Sequence, residues 1–112
     1  MGSATVNYQA AIQQLFESYI EFLGETEDLK LEMVFDRDRD RYLLVEVGWQ
    51  NGRRLYGTLL HIDIIDGKLW IQQDGTEEGI AYELVESGIP KNKIVLGYQS
   101  SERRQLSEFA IH

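Results

Sequence analysis

The sequence predicts an α+β fold: one domain over residues 1–112, a four-stranded antiparallel β-meander with two helices packed on one face and short C-terminal strands. Three observations predict it. An N-terminal stretch repeats its apolar residues at helical spacing, the middle of the chain alternates apolar and polar residues around two strong hairpin turns, and a second, shorter helical stripe follows. Two helices and one sheet can bury one sheet face in a single core.

The first element is "VNYQAAIQQLFESYIEFLG", which places Tyr8, Ile12, Leu15, Phe16, Tyr19 and Leu23 on one helical face. A helix over residues 7–23 follows, capped by Thr5 or Asn7 and stopped by Gly24. Next, "LKLEMVF" (29–35) reads as a strand that turns Leu31, Met33 and Phe35 to one side, with an odd-length "DRDRD" loop after it. Asn51–Gly52 and Asp66–Gly67 are type I′ turn signals, because both central residues need positive φ. If each is a two-residue turn, Val47 pairs with Tyr56, Val45 with Thr58 and Leu43 with Leu60. Beyond the second turn Ile64 pairs with Leu69, Ile62 with Ile71 and Leu60 with Gln73. Those positions form a nearly continuous apolar face, the one expected under the helices.

"DGTEEGIAYELVESGIP" then reads as a helix capped by Asp74 or Thr76. Glu77 and Glu78 complement its N-terminal dipole, Ile80, Ala81, Leu84 and Val85 form its buried stripe, and Gly88 and Pro90 end it. "KIVLGY" and "QLSEFAI" are short strand candidates.

In this register the other sheet face carries Tyr42, His61 and Gln72 in one row and Asp63 with Trp70 in the next, with Glu46, Leu44 and Leu59 nearby. An antiparallel sheet can leave one face to solvent, and tryptophan and tyrosine beside leucine are what interface cores contain. Tyr42, Glu46, His61, Asp63, Trp70 and Gln72 are therefore the candidate interaction face.

Composition narrows the function. The chain has a formal net charge of −8, a pI near 4.7, no cysteine and one proline. The absence of cysteine excludes disulfides, thiolate zinc sites and a cysteine nucleophile, and fits a reducing compartment. The N-terminus shows no basic region followed by an apolar run, and nothing approaches the roughly 18 apolar residues of a membrane span, so a cytoplasmic protein without membrane contact is expected. Arg37, Arg39 and Arg41 alternate with aspartates, and Arg53–Arg54 and Arg103–Arg104 are pairs. Against an acidic balance these do not make a nucleic-acid footprint, so no direct DNA binding is expected.

His61 and Asp63 lie two apart on a predicted strand and point the same way, which leaves open an acid/base couple or a metal pair with Glu46 as third ligand. The plainer reading is a histidine hydrogen-bonded to Gln72 or Tyr42 at a protein contact. On that reading the chain has no catalytic residue, metal ligand or cofactor, and no enzymatic activity is expected. The alternative is a small metal-dependent hydrolase or nuclease using His61 and Asp63. Of the other carboxylates in this region, Asp66 serves the turn, Asp74 the cap, and Glu77 and Glu78 the helix dipole. "GTEEGI" matches neither GxGxxG nor GxxxxGK[ST]. Trp49 and Trp70 fall on different faces in this register and make no common stacking platform.

Three stretches, "YLLVEVGW", "RLYGTLLHIDIIDGKLWIQQDGTEEGIAYELVESGIPKNKIVLGY" and "RRQLSEFAI", together resemble the XisI family, the fdxN-element excision controlling factors of cyanobacteria. The resemblance runs from the first helix to the terminal "EFAI". It implies an accessory role in the developmentally regulated, site-specific excision of a DNA element during heterocyst differentiation, with the cutting done by a separate recombinase. It also implies a XisH-like protein as partner; the candidate interaction face could equally meet a second copy of the chain. It carries no catalytic or binding residue onto positions here.

Overall fold

The structure is a computed structural model that describes residues 7–112. It opens with helix α1 (Tyr8–Leu23). Asn7 is the cap: its side-chain oxygen accepts from the Ala10 N–H at 3.1 Å. Thr5, the other candidate, lies outside the described residues. Gly24 ends the helix at φ 74°, its N–H donating to the Ile20 carbonyl at 2.8 Å. Ala11, Ile12, Leu15 and Phe16 form the buried stripe.

Strands β1 (Leu29–Asp36), β2 (Arg41–Gln50), β3 (Arg53–Ile65) and β4 (Lys68–Asp74) form the expected antiparallel meander. Helix α2 (Ala81–Glu86) and a 3₁₀ turn at Lys91–Lys93 lead to β5 (Ile94–Leu96), which pairs with β4 in parallel. The sheet is thus mixed and five-stranded, in the order β1-β2-β3-β4-β5, where a four-stranded antiparallel meander was expected. A parallel neighbour needs a long crossover, and the segment through α2 supplies it. All three β5 residues are buried, as in strands covered on both faces. "QLSEFAI" is not a strand. Helix α3 (Ser101–Gln105), capped by the Ser100 hydroxyl, overlaps its start, and Ala110 alone makes an isolated bridge to Val95.

Both hairpin turns form as predicted, with positive φ at Asn51 (52°), Gly52 (77°), Asp66 (51°) and Gly67 (76°). From the first turn the expected pairs Val47–Tyr56 and Val45–Thr58 hold, with Trp49 opposite Arg54, and then the register slips: Leu44 pairs with Leu60 and Tyr42 with Ile62, so Leu43 does not pair with Leu60. Leu59 is the extra residue of a β-bulge on β3. A second slip on β4 makes Gln72 the extra residue, so Leu60 faces Asp74 and not Gln73. One inserted residue exchanges the faces of everything beyond it. The β2 side chains under the helices are therefore Tyr42 and Leu44, while Leu43, Val45 and Val47 take the opposite face. Leu31, Met33 and Phe35 still share the helix side, because the β1–β2 loop has four residues (37–40) and Phe35 pairs with Tyr42. β1 is an edge strand, and the Glu25 carboxylate covers part of that edge by accepting the Leu31 N–H at 3.1 Å.

Neither Asp74 nor Thr76 is the cap of α2, whose N-cap residue is Ile80 with no side-chain cap; Asp74 instead ties the loop before it, accepting from Thr76 N at 2.9 Å and from Ile80 N at 2.8 Å. The helix itself begins only at Ala81, after Gly79 at φ 87°. Glu77 and Glu78 thus precede it in an exposed bend and do not occupy its first turn, a correction to the dipole role expected of them. Ile12, Phe16, Tyr42, Leu44, Leu60, Ile62, Leu69, Ile71, Ile80, Leu84 and Ile94 are fully buried in one cluster with Phe109 at its margin. Burying each such side chain is worth about 1.5–3 kcal/mol against leaving it exposed. No helix of the described residues is long and apolar enough to cross a membrane.

Candidate interaction surface

The bulge at Leu59 divides the predicted interaction face. Tyr42 is not on it. Its ring lies fully buried beneath α1, edge-on to Phe35 with centroids 5.1 Å apart. Its hydroxyl donates to Asp40 Oδ1 at 2.8 Å, and the same oxygen accepts from Gln9 of α1 at 3.0 Å. Burial, reinforced by the Asp40 carboxylate, pushes the phenol up to about 12. Glu46 is displaced as well. It shares the helix side with Leu44 and pairs with Leu31 and Gly57, so it cannot join His61 and Asp63.

The other four predicted residues do meet. Asp63 is only 6% exposed and accepts from His61 Nε2 at 2.7 Å, while Gln72, aimed inward by its own bulge, donates to the second carboxylate oxygen at 3.3 Å. Arg41 Nε approaches Asp63 Oδ1 at 3.6 Å from the paired position on β2. Asp63 was the one carboxylate of its region without a structural role in the sequence, and here it has three partners. A buried charge is tolerated when it is paired and hydrogen-bonded, so the cluster ties β2, β3 and β4 together. Trp70 pairs with Asp63 across the strands, but Arg104 of α3 stacks over its ring at 5.4 Å from the centroid. Gly97 sits against the same group: a Cβ there would meet Gln72 Oε1 at 2.8 Å and Trp70 Cε3 at 3.1 Å. The C-terminal segment therefore partly covers Trp70 and leaves it half-buried.

As a metal pair this arrangement lacks its third ligand, because Glu46 stands on the opposite face. Among the described residues no three His, Asp or Glu side chains are grouped to hold a metal ion.

What remains open is a surface the sequence reading assigned to the core. Tyr56 is 75% and Trp49 52% exposed, and the Arg54 guanidinium lies over both rings, 5.5 Å from the Trp49 centroid and 5.7 Å from that of Tyr56. Val34 is exposed, and Leu43, Val45 and Val47 are half-buried, on the same face as His61. Trp49 and Trp70 consequently share a face after all, at opposite ends of it. The signal that could have revealed this is "TLLHID": two adjacent leucines break the period-2 alternation where the bulge falls.

Grooves also lie elsewhere on the described residues. One of about 450 Å³ runs between α2 and the C-terminal segment, past Tyr82, Tyr98 and Phe109. Another, of about 490 Å³, lies between the end of α1 and the β4–α2 connection.

Comparison with known proteins gives a consistent answer. The family model described as XisI protein matches residues 2–111. A crystal structure of a XisI-like protein from Anabaena variabilis ATCC 29413 is 35% identical in sequence, with a TM-score of 0.86 over 94% of this chain and 96% of that one. A crystal structure of the fdxN element excision controlling factor XisI from the same organism is 33% identical, with a TM-score of 0.80 and the same coverage. No curated protein matches. With a family model spanning nearly the whole chain, and two solved relatives above 30% identity sharing its fold, the chain belongs to the XisI family.

Proposed function

We propose that the chain exerts its accessory, regulatory role as a XisI-family protein by binding a XisH-like protein through the open sheet face, and so controls excision of a DNA element. The observation that carries this reading is the Trp49–Arg54–Tyr56 stack, continuous with Val34, Leu43, Val45 and Val47 and left uncovered by either helix. Aromatic residues and arginine are the side chains most often found to dominate binding energy at protein interfaces. An exposed apolar patch of this kind marks a contact surface. The His61–Asp63–Gln72 cluster supports that face from within and does no chemistry of its own. A net charge of −8 favours a protein partner over a phosphate backbone.

Co-expression with a XisH-like protein, followed by size-exclusion chromatography with light scattering, tests the reading. A stable complex whose mass is the sum of both chains is expected. Two separate species at micromolar concentration would refute it.

A further inference from the structure

Negative charge is distributed unevenly. The two helical stretches, residues 7–28 and 74–89, hold ten of the nineteen acidic residues and none of the eleven lysines and arginines. None of the ion pairs among the described residues reaches either stretch: these are Arg39–Asp36, Arg41–Asp63, His61–Asp63 and Lys91–Glu108. The rest of the chain, largely sheet, carries a slight positive excess. The helix-bearing side therefore presents carboxylates that take part in no ion pair among the described residues.

Two of those carboxylates, Glu77 and Glu78, line an apolar groove of about 490 Å³. Phe22 and Leu23 of α1 form one wall, with Phe22 82% exposed. Leu59, put out of the ladder by the β3 bulge, lines it together with Gly75, and Glu77 and Glu78 stand on its rim. The groove is held in shape by its surroundings. Tyr19 donates to Glu83 at 2.8 Å and joins α1 to α2, while the Gly75 N–H donates to the Leu59 carbonyl at 2.9 Å. A side chain on Gly75 would press on Leu59, with Cδ1 at 2.9 Å, so the two are fitted closely. Bulges commonly re-aim one side chain at a functional site, and this one directs a leucine into the groove.

We propose that this groove binds a cationic segment of a protein partner, one apolar anchor seated against Phe22, Leu23 and Leu59 while flanking lysines or arginines meet Glu77 and Glu78. An amphipathic helix laid in an apolar groove is a standard mode of peptide recognition, and complementary charge fixes its orientation and speeds encounter. Nucleic acid and anionic lipid are the wrong charge for this rim. The groove lies on the side opposite the open sheet face, so it stands independently of what binds that face.

The test uses a fluorescein-labelled synthetic peptide with leucines at i and i+4 flanked by lysines, read by fluorescence anisotropy against the full chain. A second peptide with glutamate for every lysine is the control. Saturable binding is expected that weakens as salt rises. It should fall at least tenfold in Phe22→Ser and in the double variant Glu77→Gln/Glu78→Gln, with no binding of the glutamate peptide. Phe22 is too exposed for its replacement to disturb the fold, so retained circular dichroism is expected in that variant. Absence of binding would overturn the proposal, as would equal binding of the glutamate peptide or binding indifferent to Phe22→Ser. The last outcome would indicate charge attraction without a groove.

Discussion

Replacing Tyr42 separates the bulged register from the regular one. In the regular register Tyr42 stands on the outer face, and Tyr42→Ala would cost little stability. In the structure its ring is fully buried against Phe35, and truncating a core aromatic to alanine costs about 3–5 kcal/mol. The hydroxyl contributes a smaller share. Tyr42→Phe removes the donor to Asp40, but Asp40 keeps the Gln9 amide as a partner, so the loss is about 1 kcal/mol, that of one net hydrogen bond. For a domain of this size each kcal/mol moves Tm by about 4 °C, so Tyr42→Ala should lower it by roughly 12–20 °C and Tyr42→Phe by roughly 4 °C. Tyr56→Ala is the matched control: 75% exposed, it should change stability by no more than about 0.5 kcal/mol. Urea titrations followed by circular dichroism give the three values. A Tyr42→Ala protein as stable as Tyr56→Ala would refute the bulge at Leu59 and with it the assignment of the open face.

Other predictions follow from single contacts. Gly48 has φ 152°, and a Cβ there would lie 2.0 Å from the Asp28 carbonyl oxygen, a backbone atom held by the Trp49 N–H. Gly48→Ala should therefore separate the start of β1 from β2 and destabilise by more than about 2 kcal/mol, measured by the same titration. Burial first and then the Glu83 hydrogen bond raise Tyr19 to about 12, and burial with Asp40 does the same for Tyr42. Their contribution is complete below the ordinary tyrosine value of 10.0 and is lost as pH climbs from there through about 12, so phenolate absorbance should show these two ionising last, together with alkaline unfolding. Asp36 is held below its usual 3.8 by the Arg39 backbone N–H and guanidinium, and Glu108 below 4.5 by hydrogen bonding to Lys91. Both are exposed, so their stabilisation is small. It is present above those values and lost as pH falls through the lowered ones, which Lys91→Ala should blunt in an acid melt.

Most of the element boundaries could be read from local chemistry. Asn7, Gly24 and the Asn–Gly and Asp–Gly turns act within a few residues of themselves, and each does what its type predicts. What could not be read was non-local. A bulge is one residue in a strand that otherwise alternates, and its effect is to exchange Tyr42 and Leu44 for Leu43, Val45 and Val47 under the helices. Pairing near the turns is as expected, but β2 and the part of β3 between the turn and Leu59 present the opposite face to the expected one. The parallel placement of β5 is equally non-local: "IVL" reads as a buried strand, but its neighbour is set by where α2 delivers it. Within the candidate surface, His61, Asp63, Gln72 and Trp70 lie after the bulge on β3 or on β4, so they came together as expected. The expected places of Tyr42 and Glu46 depend on counting across the bulge, and the bulge turns both to the helix side. The exposed aromatic pair, Trp49 and Tyr56, lies beside the hairpin turn and was paired correctly through its neighbours but assigned to the wrong side.

The most direct test of the account is the affinity of a XisH-like protein for the wild-type chain against the Trp49→Ala/Tyr56→Ala variant, by isothermal titration calorimetry. Both side chains are more than half exposed, so the variant should fold normally while binding at least tenfold more weakly. Unchanged affinity in a folded variant would contradict the claim that the open sheet face is where the partner binds.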